Sequence, residues 1–377
     1  MKEQFFKKYR LRLFVVVLAL GIYLQFVILG GANPWSAVAA YLTPARVAVE
    51  PIVPIHRPAF QTGMVFPQWN TSAYSTQDKN WSTGLKGIQT QTGARWVEMT
   101  VNFYQSSLTS TTVRTTEKTP TPEAFAQGIR TARAMHYHVF VVPLLTVEGT
   151  TPTGTPLWCG DIRFTTTAEA QQWFDSYWSV FKPYVAAAEA AGAEQLAIGT
   201  EYENLQFVVP SVWEHLIGQV HNTFSGMLTY DMNWSSVAIP IQAWMHDPRL
   251  SYIGVSTYFP LTTVRQRLDP NAVPMLWRAK IKDQLDALAR RVGKPVLISE
   301  IGYRNSADAL YNPWEKDTHA VVDDGQQAAA YRAALMNIAD DPAITGIFFW
   351  AWSFQWFEPN QRAAAGVLLQ WYTVKLL

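Results

Sequence analysis

Eight apolar or β-branched runs recur along the chain from residue 62 onward, and stretches of helical character separate most of them. In order they are residues 63–69, 94–104, 137–146, 195–200, 227–234, 252–258, 295–300 and 346–352. Helix-compatible segments lie between them at 121–135, 168–191, 211–224, 277–292 and 324–338, with a short candidate at 243–250. Thr121 followed by Pro122 marks a helix start, and Gly293 ahead of Pro295 marks a stop. Near-continuous hydrophobicity is what strands covered on both faces need, and parallel strands joined by helical crossovers are covered in that way. Eight such units predict an α/β fold, a closed (β/α)8 or TIM barrel over residues 62–377. An open doubly wound sheet would want a Gly-rich phosphate turn after an early strand, and none is present. The span exceeds the usual ~250 residues, so some loops must be enlarged; the longest is 148–167, rich in Thr, Gly and Pro. Residues 363–377 are expected to supply a shortened eighth helix.

Ahead of the barrel, residues 13–30 read LFVVVLALGIYLQFVILG, with Gln25 the one strongly polar interruption. As a helix such a stretch spans roughly 27 Å, close to the thickness of a bilayer's hydrocarbon core. Lys2, Lys7, Lys8, Arg10 and Arg12 precede it, which keeps the N-terminus cytoplasmic and sends the rest outward. Residues 1–31 are therefore expected to be a transmembrane signal anchor, the preferred reading, or a signal peptide cleaved within 36–40. Residues 32–61 carry Pro34, Pro44, Pro51, Pro54 and Pro58 without helical or strand period, and read as a Pro-rich extracytoplasmic linker. The folded part is expected to work outside the cytoplasm, membrane-tethered or secreted.

Charge excludes some partners. With 30 basic against 29 acidic side chains, the chain gives no electrostatic reason to expect nucleic acid or a strongly anionic ligand. Aromatic residues make up 14%, including 16 Trp, which suits both a large core and the apolar face of a sugar ring. Cys159 is the single cysteine, so an internal disulfide is impossible, and no run of Cys and His has metal-ligand spacing. His136 and His138 read as structural. No cofactor or metal is expected, and a monomer is the expected state.

In a barrel of this kind the working residues sit at the C-terminal ends of strands. The fourth run ends Ile198-Gly199-Thr200-Glu201, and the seventh ends Ile298-Ser299-Glu300. A carboxylate directly after an apolar strand core is costly unless paired or used. Strands four and seven face one another across the mouth, and retaining glycosidases need two carboxyl groups about 5–5.5 Å apart, one as acid/base and one as nucleophile. Glu201 and Glu300 are the candidate pair. Glu203, two residues further on in an extended segment, is a rival for the acid or a sugar-binding carboxylate; Glu201 is preferred because it follows the strand core directly.

Four segments, IGTE (198–201), LTYDMNW (228–234), ISEIGYRN (298–305) and FFWAWS (348–353), resemble the clan A glycoside hydrolases and, as a set, family 113, whose characterised members are β-1,4-mannanases. The seventh-strand segment is the most specific of them. The resemblance implies Glu201 as acid/base and Glu300 as nucleophile, in agreement with the reading above. It implies that Tyr258 hydrogen-bonds the nucleophile and that Trp350 or Trp352 forms the floor under the sugar; strand alternation lets both face one side. Trp69, Asn102, Tyr104, Asn233 and Trp234 are candidate subsite contacts. Many clan A enzymes carry Asn just before the acid/base, where this chain has Thr200; Asn102 or Asn204 would then have to meet the sugar 2-hydroxyl.

The expectation is a retaining hydrolase of a β-linked polysaccharide, with β-mannan favoured by the resemblance alone. The alternatives are a hydrolase or transglycosylase of another β-glycan on the same barrel, and a non-catalytic carbohydrate-binding surface barrel. Binding alone would not need paired carboxylates.

Overall fold

The computed structural model describes residues 54–316 and 320–376. Eight parallel strands close in sequence order into one barrel. They are β1 (Gln61–Val65), β2 (Trp96–Gln105), β3 (His138–Val147), β4 (Gln195–Thr200), β5 (Met227–Asn233), β6 (Ile253–Ser256), β7 (Val296–Ile301) and β8 (Ile344–Phe349). Closure is made by β1 against β8, with Gln61 opposite Gly346 and Met64 opposite Phe349. The expected N-terminal anchor and most of the expected linker fall outside the described residues, and no described helix is long and apolar enough to cross a membrane.

Helices form the outer ring. They are α1 (Lys79–Thr92), α2 (Pro122–Ala134), α3 (Thr167–Ala191), α4 (Pro210–His221), α5 (Val273–Trp277), α6 (Asp283–Val292), α7 (Asp324–Ile338) and α8 (Ala363–Gln370). A π turn, Arg278–Lys282, joins α5 to α6, so the two act as one crossover. Local chemistry sets the boundaries. Thr166 and Glu169 make a reciprocal capping box at the start of α3, and left-handed Gly192 ends it. Between β5 and β6 the expected short helix is only a 3₁₀ turn, Ala243–His246. Its Trp244 stacks on Trp213 of α4, with ring centres 4.2 Å apart, and so covers the sheet where a helix is lacking.

Two cores result. The larger lies between strands and helices and contains, among others, Trp81, Trp173, Tyr177, Trp213 and Trp277. The smaller fills the barrel interior with Val65, Trp96, Phe140, Ala197, Tyr252, Leu297 and Phe348. Strand alternation puts Glu98, Asn102 and Tyr104 on the same face of β2 as Trp96, so the interior turns polar toward the mouth. Helix α8 packs on α1 and α7 and is extended by a π turn, Trp371–Lys375, completing the ring.

Candidate active site

The two strands that end in glutamate are both irregular at that end. The β4–β5 register shifts between Ala197 and Thr200, and the β7–β8 register shifts between Ile298 and Ile301. Such bulges re-aim side chains at barrel rims. On β7, consecutive residues consequently meet interior partners: Ser299 Oγ donates to Asp231 Oδ1 at 2.5 Å, and Glu300 accepts from the Tyr258 hydroxyl. On the other side Glu201 takes φ of +58°, a left-handed conformation uncommon outside glycine, and its backbone N–H donates to the Asp231 carbonyl at 2.8 Å. Its carboxyl accepts from the indole N–H of Trp158, Nε1 to Oε2 3.1 Å.

Burial pushes the Glu201 carboxyl above the ordinary range, while the Trp158 hydrogen bond pulls the other way. Burial, reinforced by the charge of Glu201, pushes Glu300 well above its usual value, and the Tyr258 hydroxyl opposes that. Two further acids lie just below. Asp231 of β5 is only 1% exposed; burial raises it to about 8 against the hydrogen bond from Ser299, and the Ser256 hydroxyl donates to its other oxygen at 3.3 Å. Glu98 of β2, also 1% exposed, has neither carboxyl oxygen hydrogen-bonded, and burial pushes it well up, with Glu300 and Asp231 adding to the effect. A cluster of four carboxyl groups, Asp231 and Glu98 buried and Glu201 and Glu300 half-buried, favours neutral acids and shared protons.

Aromatic rings flank this cluster. Trp69, after β1, packs 6.4 Å from Trp350 and 5.4 Å from Phe354, both just beyond β8, and Trp350 packs 5.4 Å from Phe354. Trp234, after β5, stacks on Trp314 with ring centres 5.3 Å apart and planes 18° apart, and lies 5.3 Å from Phe259. Since the strands close in order, β1 and β8 lie across the mouth from β5. Trp352, in contrast, is 2% exposed and turned outward: a methyl on Gly87 of α1 would come within 2.7 Å of its ring. The expectation that Trp350 and Trp352 share a face fails because β8 ends at Phe349 and the period of two ends with it; the Trp350–Ala351 peptide is cis.

The other sequence candidates scatter. Asn102 Nδ2 donates to the Tyr104 hydroxyl at 2.6 Å and to Thr146 Oγ1 at 3.1 Å, so all three hold one another at the mouth end of β2 and β3. Asn233 caps the 3₁₀ turn Trp234–Ser236 by accepting from the Ser235 N–H at 3.1 Å. Glu203 accepts from the Ser235 hydroxyl at 2.6 Å, turned toward β5 rather than to Tyr258 and Glu300. Asn204 is exposed at the start of a 3₁₀ turn, Asn204–Phe207. Sequence reasoning passed over Trp158, Trp314, Asp231 and Glu98. The last two carried a signal, an acid inside an apolar run; the tryptophans arrive on long loops with no period to read.

Comparison with known proteins follows the same lines. The sequence profile of Glycoside Hydrolase Family 113 matches residues 64–371, from β1 to the π turn after α8. No curated protein matches the sequence. Among solved structures, a complex of a family 113 β-1,4-mannanase superposes with a TM-score of 0.70 at 19% identity, covering 84% of this chain and 99% of that one. A family 113 β-mannanase from Alicyclobacillus acidocaldarius gives 0.68 at 20% identity, covering 83% and 97%. A family 5 mannosidase from Rhizomucor miehei gives 0.52 at 10% identity, covering 83% and 92%. At such identities the superpositions speak for the fold, and the profile match speaks for the lineage: the chain belongs to Glycoside Hydrolase Family 113.

Proposed function

We propose that the chain is a retaining hydrolase of a β-linked polysaccharide, β-mannan being the favoured substrate, with Glu201 as acid/base and Glu300 as nucleophile. The observation that carries this reading is the pairing of each glutamate with its own aromatic donor, Trp158 for Glu201 and Tyr258 for Glu300, at the ends of β4 and β7. A glycosidic oxygen between them receives the Glu201 proton as its bond to the anomeric carbon breaks, the electron pair leaving with that oxygen. The Glu300 carboxylate forms the new bond at the anomeric carbon. Water then adds to that carbon, gives its proton to Glu201 and releases Glu300. Tyr258 donates to the carboxylate form of Glu300 and favours its ionisation although burial resists it.

Trp69 and Trp350 are read as the floor on one side of the cleavage point, and Trp234 with Trp314 as a platform on the other. Sugars held on both sides favour internal cleavage of a polymer. Thr200 leaves the 2-hydroxyl to Asn102, the asparagine kept inside the mouth. The preference for mannan leans on the mannanases named above. The sequence of residues 13–30 supports a domain held at the outer face of a membrane.

The test is turnover of β-mannan, glucan, xylan and galactan by the protein, beside Glu300→Gln. Hydrolysis of one polymer, falling about ten-thousandfold or more in the variant, is the expected result. Binding without turnover in the unchanged protein would favour a sugar-binding barrel, and turnover surviving the substitution would remove Glu300 from its role.

A further inference from the structure

Trp158 belongs to the enlarged loop after β3, and that loop is built to bring its indole to one atom. A backbone bridge between Thr150 and Pro156 and a bond from the Leu157 N–H to the Gly149 carbonyl, 3.2 Å, fold the loop back on itself. A 3₁₀ turn, Cys159–Asp161, follows directly. Within it Gly160 is required by contact: a methyl there would sit 2.3–2.5 Å from the Trp158 ring. Cys159 Sγ rests 3.9 Å from the Thr200 carbonyl and 4.0 Å from that of Glu201, so the turn is wedged over the backbone carrying the acid. Buried Ile162 and a bond from the Arg163 N–H to the Leu108 carbonyl, 3.1 Å, pin its far end.

An indole N–H donates and never accepts. Oε2 of Glu201, 3.1 Å from Nε1, is therefore kept as an acceptor, and a proton on this carboxyl sits on Oε1. We infer that Trp158 is a positioning residue for the acid/base: it occupies Oε2, fixes the carboxyl plane and leaves Oε1 as the oxygen that gives its proton to the leaving glycosidic oxygen. The inference rests on the assignment of Glu201 as acid/base made above. The groups that share the pocket are Glu203 beside it, Asp231 on β5, Tyr258 after β6, Glu300 on β7, Glu98 on β2, Cys159 on the loop and Lys316 toward Glu300. The Ser256 hydroxyl also hydrogen-bonds the Glu201 carboxyl, but a hydroxyl can accept as well as donate, so it does not bar a proton from its oxygen as the indole bars one from Oε2.

The test separates leaving groups that need a proton from those that do not. Trp158→Phe keeps the ring and removes the N–H. On β-mannan oligosaccharides kcat/KM should fall about tenfold or more, the free-energy equivalent of one charge-assisted hydrogen bond. On dinitrophenyl β-mannoside, whose phenolate leaves unaided, it should change by no more than about threefold. Removing a donor to the carboxylate also moves the alkaline limb of the mannan profile to higher pH. Gly160→Ala, which displaces the ring without deleting it, should give the same pattern more weakly and serves if Trp158→Phe does not fold. Equal losses on both substrates, or an unmoved alkaline limb, would overturn the inference. Glu201→Ala measured alongside keeps the two readings apart. If it loses both substrates equally, Glu201 is not the acid; if it spares the dinitrophenyl glycoside while Trp158→Phe does not, only the role of Trp158 fails.

Discussion

Asp231 sits between two serine hydroxyls inside the barrel, and burial holds its carboxyl neutral until about pH 8. In the unfolded chain the same group ionises near its ordinary 3.8. Between those values the folded protein carries a proton that the unfolded chain has lost, so this contribution to stability is complete in acid and drains away as pH rises toward 8. Asp231→Asn removes the titration. The variant should lack that slope and gain on the parent by a few kcal/mol between pH 5 and pH 9, as urea melts at the two pH values would report. Residues of this kind mark the limit of reading a sequence. Glu201 and Glu300 stand out as candidates in the sequence because each follows an apolar strand core, where a charge has to be explained. Asp231 and Glu98 lie within the runs, where sequence does not say which face is the interior. Trp158 was illegible because its contact is made by a loop fold that no periodicity encodes.

At the level of elements, the segment after β7 shows how one side chain can organise a loop. Arg304 is fully buried, and its guanidinium donates to the carbonyls of Asn312 at 3.0 Å, Glu315 at 2.8 Å, Asp308 at 3.2 Å and Tyr311 at 3.1 Å. Those carbonyls bracket Trp314, which is 42% exposed against Trp234. Arg304→Met would leave buried acceptors without donors, at a cost of about 3 kcal/mol or more. It should also release the platform: KM for long oligosaccharides should rise while that for the shortest cleaved substrate stays nearly constant. A rise shared by all lengths would mean that the loop serves the carboxylates instead. The strands and most helices were legible from hydrophobic runs and from caps such as Thr121-Pro122. Helix α1 was not. It carries Gly84 and Gly87 among threonines, poor helix formers, yet a methyl at either would come within 2.7 Å of the Phe66 or Trp352 ring. Tertiary packing against aromatics chose those glycines, at the expense of the local signal.

For the molecule as a whole, the closed sheet was foreseen and its seam was not. Residues 32–61 read as a spacer, but the folded unit reaches back into them. Ile55 donates its N–H to the Lys375 carbonyl at 2.6 Å and pairs in parallel with Leu376. Arg57 caps the turn after α7 through the carbonyls of Ile338, Ala339, Asp341 and Ile344, at 2.7–3.2 Å. Proline content hid this, because extended chain that docks and extended chain that dangles look alike in sequence. Both ends of the folded unit therefore meet where the strands begin, on the face opposite the carboxylates. Joining Leu376 to Ile55 by a short Gly/Ser bridge and opening the chain after exposed Gly293 should give a circular permutant that still melts cooperatively and keeps its turnover. Loss of the cooperative melt would mean that the seam is held by chain order rather than by its own bonds. A ring that can be cut elsewhere has no privileged first strand, and cargo fused at its seam would sit behind the mouth without shading it.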